Sequence, residues 1–285
     1  MAITYHMLQI PTIWLFIIMI SSGALFAGTL TFIFRKYIRV KVLRSHNEVT
    51  GFLFTAIASF YALLLGFVVF TVWGQLNDTQ TNINQEGGSA LSLYRDIKFY
   101  PDTLDSQKLK TVYLGYVFNV IDEDFPNMEK LKLSSKTPES LNKVFYTLES
   151  LNPKNPFQTQ LLGEMFHHLN ELCTLRELRI SAMETEIPPS MWLPIMIGAV
   201  ITIICAMLLD IEHTRILIGL NSLFGAFIGM ILFTIILLDH PFAGSLKIEP
   251  KSYMEILKIE MMDNEFLIKQ EKFNEKQMKL NNSTK

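Results

Sequence analysis

Two short spacings in this sequence could carry chemistry. Glu164-Met165-Phe166-His167 has the Glu-x-x-His arrangement that sets a carboxylate and an imidazole on one helix face, as di-iron bundles do. Such a centre needs a second copy of the motif and further carboxylates. The chain has no second copy, so a solvated helix face is the better account. Asp122-Glu123-Asp124 offers carboxylates to a divalent cation but lacks the alternating oxygen ligands of a calcium loop. There is no P-loop, no dinucleotide fingerprint and no nucleophile–base set. The expectation is a protein that is not an enzyme, with no metal and no cofactor. A net charge of -2 with no basic run gives nucleic acid no electrostatic footprint. The two cysteines, Cys173 and Cys205, do not make a disulfide framework, because the second lies in an apolar stretch.

A few charges remain that call for partners. Asp239 ends an apolar stretch, where a carboxylate meets the negative end of a helix dipole and wants a compensating cation. Arg95, Arg176, Arg179 and Lys247 are candidates for a structural ion pair with it. Glu86 is a second candidate, with Arg95 or an arginine of the helix that carries Arg176 and Arg179.

The elements that must position these residues follow from where charge is missing. No charged side chain occurs over 1–34, 49–77, 187–209 or 216–238. A bilayer core needs roughly 20 apolar residues as helix, and each gap suffices. Only 18% of residues are charged and 49% are apolar. The chain therefore reads as an all-α membrane protein with four transmembrane helices and an extramembrane helical domain that extends the second span. The expected division is 1–73 for transmembrane helices one and two, 74–190 for the helical domain, 191–239 for transmembrane helices three and four, and 240–285 for a C-terminal helix and polar tail. Span one, from about Leu8 to Phe34, has no basic residue before its long apolar stretch and reads as retained rather than as a signal peptide.

The polar segment reads as helix throughout. Its first helix continues span two, with Leu76, Ile83, Ala90, Tyr94 and Ile97 at coiled-coil spacing, and stops at Tyr100-Pro101. From Val49 to Tyr100 that is one helix of about 75 Å. The second is expected from near Asp102 to just before Pro126. The third should start at Thr137-Pro138-Glu139, with Thr137 as N-cap, and the fourth at Asn155-Pro156. After span four, Pro241 breaks the helix and Pro250 starts a short new one; the tail from Asp263 reads as frayed.

Span two is the most informative element. At 100° per residue, Gly51, Thr55, Ala58, Ala62 and Gly66 share one side, a small stripe suited to close helix contact in lipid. Leu53, Phe60, Leu64, Phe67 and Thr71 take the opposite side, continued beyond the span by Asp78, Asn82, Gln85 and Ser89. Two readings compete for that line. Phe and Leu could face lipid and the polar residues water, or the whole line could face the axis of an oligomer, as an apolar constriction followed by a wet vestibule. In span one Gly23 with Ala27, and in span four Gly225 with Gly229, are placed for packing within one protomer, and Asn221 needs an interhelical partner.

Several stretches together resemble the bestrophin-like bacterial membrane family. They are His46-Asn47-Glu48-Val49-Thr50-Gly51-Phe52, Tyr61 to Val69 with Trp73, Glu86, and Leu93-Tyr94-Arg95. Pro189-Ser190-Met191-Trp192 and Asp239-His240-Pro241-Phe242-Ala243-Gly244 fit as well. The chain departs from the pattern in three places. Asp124-Phe125-Pro126 stands where Glu-Trp-Pro is usual, and Arg176-Glu177 with Arg179 stands where adjacent arginines are usual. Gly87-Gly88 follows Glu86 where alanine is usual, and a bend is expected there because glycine weakens a helix by about 1 kcal/mol. The resemblance implies a homo-oligomeric, pentameric ion channel with its pore lined by the second membrane helix, in the inner membrane of a bacterium. It favours the axis-facing reading of the Phe60 line. The partners it implies are membrane lipid, further copies of the chain and inorganic ions. The alternative is a non-conducting scaffold, sensor or energy-coupling subunit acting through the helical domain.

The loop from Arg35 to Glu48 carries Lys36, Arg39, Lys41 and Arg44 besides Arg35. The positive-inside rule puts it in the cytoplasm and the helical domain outside; the resemblance implies the reverse. The charge rule reads this chain directly, and we follow it.

Overall fold

The computed structural model describes residues 2–37, 47–101, 104–209, 211 and 213–265. The basic residues Arg39, Lys41 and Arg44 and the tail from 266 lie outside them. All regular structure among the described residues is helical.

The chain divides into two compact units, 1–79 with 182–248 and 80–181 with Glu249 onward. Four helices are long and apolar enough to cross a membrane: α2 (Thr12–Tyr37), α3 (Asn47–Phe99), α8 (Pro189–Met207) and α9 (Thr214–Leu238). The first unit holds α2, α8, α9, the start of α3 and a short α1 (Ala2–Leu8). The break between α1 and α2 falls at Pro11, not inside one long span. A proline lacks the N–H that would continue the ladder, and Pro11 instead accepts from Trp14 at 2.8 Å to open α2.

Helices α2 and α9 approach at glycine. A Cβ built on Gly225 would overlap the carbonyl of Gly23 and lie 2.6 Å from Ala27 Cβ, and one on Gly229 would overlap the carbonyl of Met19. Backbone approach of this kind substitutes in lipid for a hydrophobic driving force. Beside it, Asn221 Nδ2 donates to Thr31 Oγ1 at 3.0 Å, which satisfies a buried amide. In α8, Gly198 leaves room for the Tyr61 ring, whose Cδ2 would lie 2.6 Å from a Cβ there. Tyr61, Leu65, Val68 and Val72 of α3 are buried with Ile195, Ala199 and Ile203 of α8 and Ile228 and Ile235 of α9.

The second unit is built from the rest of α3, α4 (Leu104–Asn119), α5 (Phe125–Met128), α6 (Lys136–Glu149), most of α7 (Pro156–Glu184) and a helix over 251–265, here α10. Two details differ from expectation. The second soluble helix does not stop before Pro126: a π-helical turn, Val120–Asp124, joins α4 to α5, with Phe125 N–H bonded to Val120 O five residues back. The widened turn lets Pro126 follow near the start of a new helical segment, where its missing N–H is not needed. The residue at the N-cap of α6 is Ser135, and Thr137 is buried inside the first turn. As expected, α3 is one continuous helix, of 53 residues, through Gly87-Gly88. The N-cap of α7 is as the sequence indicates, with Asn155 Oδ1 accepting from Gln158 N–H at 2.9 Å.

Candidate functional site

Two features of α3 stand out, the lines it leaves open and the charges it buries. Among the described residues of the first unit, the Tyr61 line is the best-covered line of α3. At 100° per residue, that line lies about 90° from the small stripe and about 100° from the Phe60 line. Both flanks are therefore largely open among the described residues. Phe60 is 74% exposed and Phe67 63%. Thr71 and Asp78 are exposed, while Leu64 is half-buried against the core. The Thr71 hydroxyl donates to the Phe67 carbonyl at 2.9 Å, so it presents a lone pair rather than a free proton. In the second unit Gln85 is exposed and Asn82 half-buried. The open line ends at Ser89, which is buried and donates to Glu171 Oε2 at 2.8 Å.

Within the chain the small stripe contacts little. Gly51 has only Leu209 Cδ2, 4.0 Å from where its Cβ would be, and Gly66 has nothing within 4 Å. Ala62 is exposed and Ala58 half-buried. The close approach inside the protomer is made by Gly23, Gly225 and Gly229 instead.

The buried charges converge in the second unit. Arg179 of α7 is fully buried, and its Nε donates to Glu86 Oε2 at 2.7 Å. Its Nη2 donates to Asp124 Oδ2 at 3.1 Å and its Nη1 to Met128 Sδ at 2.9 Å. The Phe125 ring lies 5.0 Å from the guanidinium carbon, in cation–π range. Arg176, one helical turn earlier, places Nε 3.7 Å from Asp124 Oδ2. The other oxygen of Glu86, Oε1, accepts from the Tyr253 hydroxyl of α10 at 2.8 Å. Burial opposes the charge on Arg179, but Glu86, Tyr253 and Asp124 together outweigh it and raise the pKa. Burial also drives the phenols of Tyr113 and Tyr253 well above the ordinary value, so both remain neutral donors. Tyr113 uses its proton on the Ala90 carbonyl at 2.5 Å.

This cluster gathers the sequence departures. Asp124 and Phe125 both reach Arg179, and Arg176 and Arg179 sit three apart on α7, so both face Asp124. The signal that Asp124 would turn inward was absent from the sequence, because a π turn shifts every later side chain relative to an α-helix. It also splits the acidic run: Asp124 meets arginine, Glu123 pairs with Lys136, and Asp122 is exposed. The three carboxylates do not converge as a cation site. Glu164 and His167 are both exposed. Arg95 is exposed and is not the partner of Glu86.

Asp239 requires a correction. It is buried, but no arginine reaches it among the described residues; its Oδ1 accepts the backbone N–H of Ile187 at 2.8 Å. Arg176 and Arg179 are held by Asp124 and Glu86. The N–H donor takes the place of the expected cation, and burial raises the Asp239 pKa above its ordinary value. Beside it His240 is also buried, with Nδ1 3.6 Å from Glu186 Oε1; burial pushes its pKa below the usual imidazole value.

Comparison with known proteins gives one assignment. Residues 23–253 match the Bestrophin-like domain. No curated protein and no solved structure matches the chain. With four apolar helices of spanning length and a match over most of its length, the chain belongs to the bestrophin-like family.

Proposed function

We propose that this multi-pass membrane protein is a homo-oligomeric ion channel of a bacterial plasma membrane, a pentamer by its resemblance to bestrophins, and that α3 lines the pore. It moves inorganic ions and catalyses no reaction. The observation that carries this reading is the open line of α3. Bulky apolar side chains over the apolar half give way to Thr71, Asp78, Asn82 and Gln85 on one side of the helix; among the described residues Phe60, Phe67, Thr71, Asp78 and Gln85 are exposed, and Leu64 and Asn82 half-buried. An apolar ring resists wetting, and a carboxylate ring at its mouth concentrates cations. The second open flank, Gly51 to Gly66, is where a neighbouring subunit's helix fits.

The test is ion flux through purified protein in liposomes. Phe60→Ala and Leu64→Ser should raise flux several-fold, and Asp78→Asn should weaken cation preference without closing the path. Background flux in the parent and all three variants, with assembly intact, would reject the channel and leave a scaffold or sensor that works through the helical domain.

A further inference from the structure

We infer that α10 is a strap whose docking on α3, through the Gly87–Ser252 crossing, sets the position of the Asn82–Gln85 stretch; this rests on the pore reading above. Three rungs join the two helices. Tyr253 donates to Glu86 Oε1 at 2.8 Å, Tyr94 donates to Glu260 Oε2 at 2.6 Å, and Lys98 pairs with Asp263. Along this series both residue numbers rise together, by 7 and 3 on α10 and by 8 and 4 on α3. The helices therefore run parallel, in register for about three turns. Lys110 of α4 adds a contact to Glu260 at 2.8 Å.

The rungs differ in kind. Tyr253 and Glu86 are fully buried, whereas Lys98 and Asp263 are each about a third exposed. An exposed ion pair is screened by salt and weakly held. The outer end of the strap is thus held by contacts that salt weakens, and the inner end by a buried hydroxyl and by fit. Fit at the inner end depends on Gly87. A Cβ built there would overlap Ser252 Cβ and lie 2.6 Å from Ser252 Oγ. This accounts for a glycine inside a continuous helix: it tolerates the propensity cost so that α10 can close onto α3. Glu86 and Gln85 are neighbours on α3, one buried toward α10 and Arg179, the other exposed on the open line. A shift of the helix at Gly87 moves Gln85 with it.

The experiment compares the parent, Gly87→Ala, Ser252→Gly and the double variant, by hydrogen exchange over 251–263 and by liposome flux. Gly87→Ala should raise exchange at least ten-fold over 251–263 while α4 and α6 stay protected, and should change flux by at least three-fold. Ser252→Gly in the same chain removes the Cβ that the alanine meets and should restore both. Parent-like exchange in Gly87→Ala would overturn the strap. Released exchange with parent-like flux above background would overturn its control of the pore line. Background flux in every protein, parent included, would overturn that control together with the pore reading. The exchange result, with rescue by Ser252→Gly, would then still show separately whether the strap docks as described.

Discussion

At the scale of single residues, two buried acids are satisfied by different means, and their variants should behave differently. Glu86 depends on a cation. Arg179→Met removes it and leaves a buried carboxylate with only Tyr253, which should cost about 3–5 kcal/mol. Combining it with Glu86→Gln should recover part of that loss in detergent-solubilised urea unfolding; strictly additive losses would show that the two groups do not share an interaction. Asp239 depends on an N–H, so Asp239→Asn, whose amide oxygen can still accept from Ile187, should leave stability near the parent, whereas Asp239→Ala should cost about 1–3 kcal/mol. The same pair sets a pH dependence. His240 is depressed by burial, so its contribution is complete above the unfolded value of 6.5 and is lost as pH falls through the lower folded pKa. Asp239 is raised by burial, so its contribution is complete below the unfolded value of 3.8 and is lost as pH rises through the higher folded pKa. Acidification below pH 6.5 should lower the melting temperature through His240 while Asp239 acts in the opposite sense, and His240→Gln should flatten the His240 limb. A limb of the same slope in His240→Gln would assign it to other groups.

At the scale of elements, glycine has opposite meanings at different places. Gly225 and Gly229 face the backbone of α2, so even one added methyl forces α2 and α9 apart. Gly225→Ala should destabilise the monomer fold by about 1–3 kcal/mol, read as a lower melting temperature, although alanine favours helix. Retained stability would mean that the helices can slide apart freely. Much of this level was legible in the sequence. The bounds of α3 and α9 followed from where charge is missing and where Pro101 and Pro241 stand, since both signals are local. The π turn and the need for a glycine at position 87 were not legible. One depends on where Asp124 finds an arginine and the other on how closely α10 approaches, and neither is a property of the local chain.

For the whole molecule, assembly is expected to use what the protomer leaves uncovered. No neighbour lies within 4 Å of a Cβ built on Gly66, so Gly66→Leu should leave the protomer folded but block close approach of another subunit. Native mass spectrometry should then show loss of the oligomer with an unchanged helical circular dichroism spectrum. An oligomer that persists would remove the small stripe from the interface.

By itself the sequence determined the class: four apolar spans, an all-helical chain and a second span that runs on without a break, because hydropathy and proline act over a few residues. The family resemblance was legible as well, since its motifs are contiguous. Which charges meet was decided only by tertiary structure. Glu86 and Arg179 stand 93 positions apart, and Asp239 and Ile187 are 52 apart. Their pairing depends on helices that converge from distant parts of the chain. Tertiary structure also decided that the Tyr61 line, rather than the small stripe, packs within the protomer, because packing selects the face that fits Gly198 and the bulk of α8 and α9.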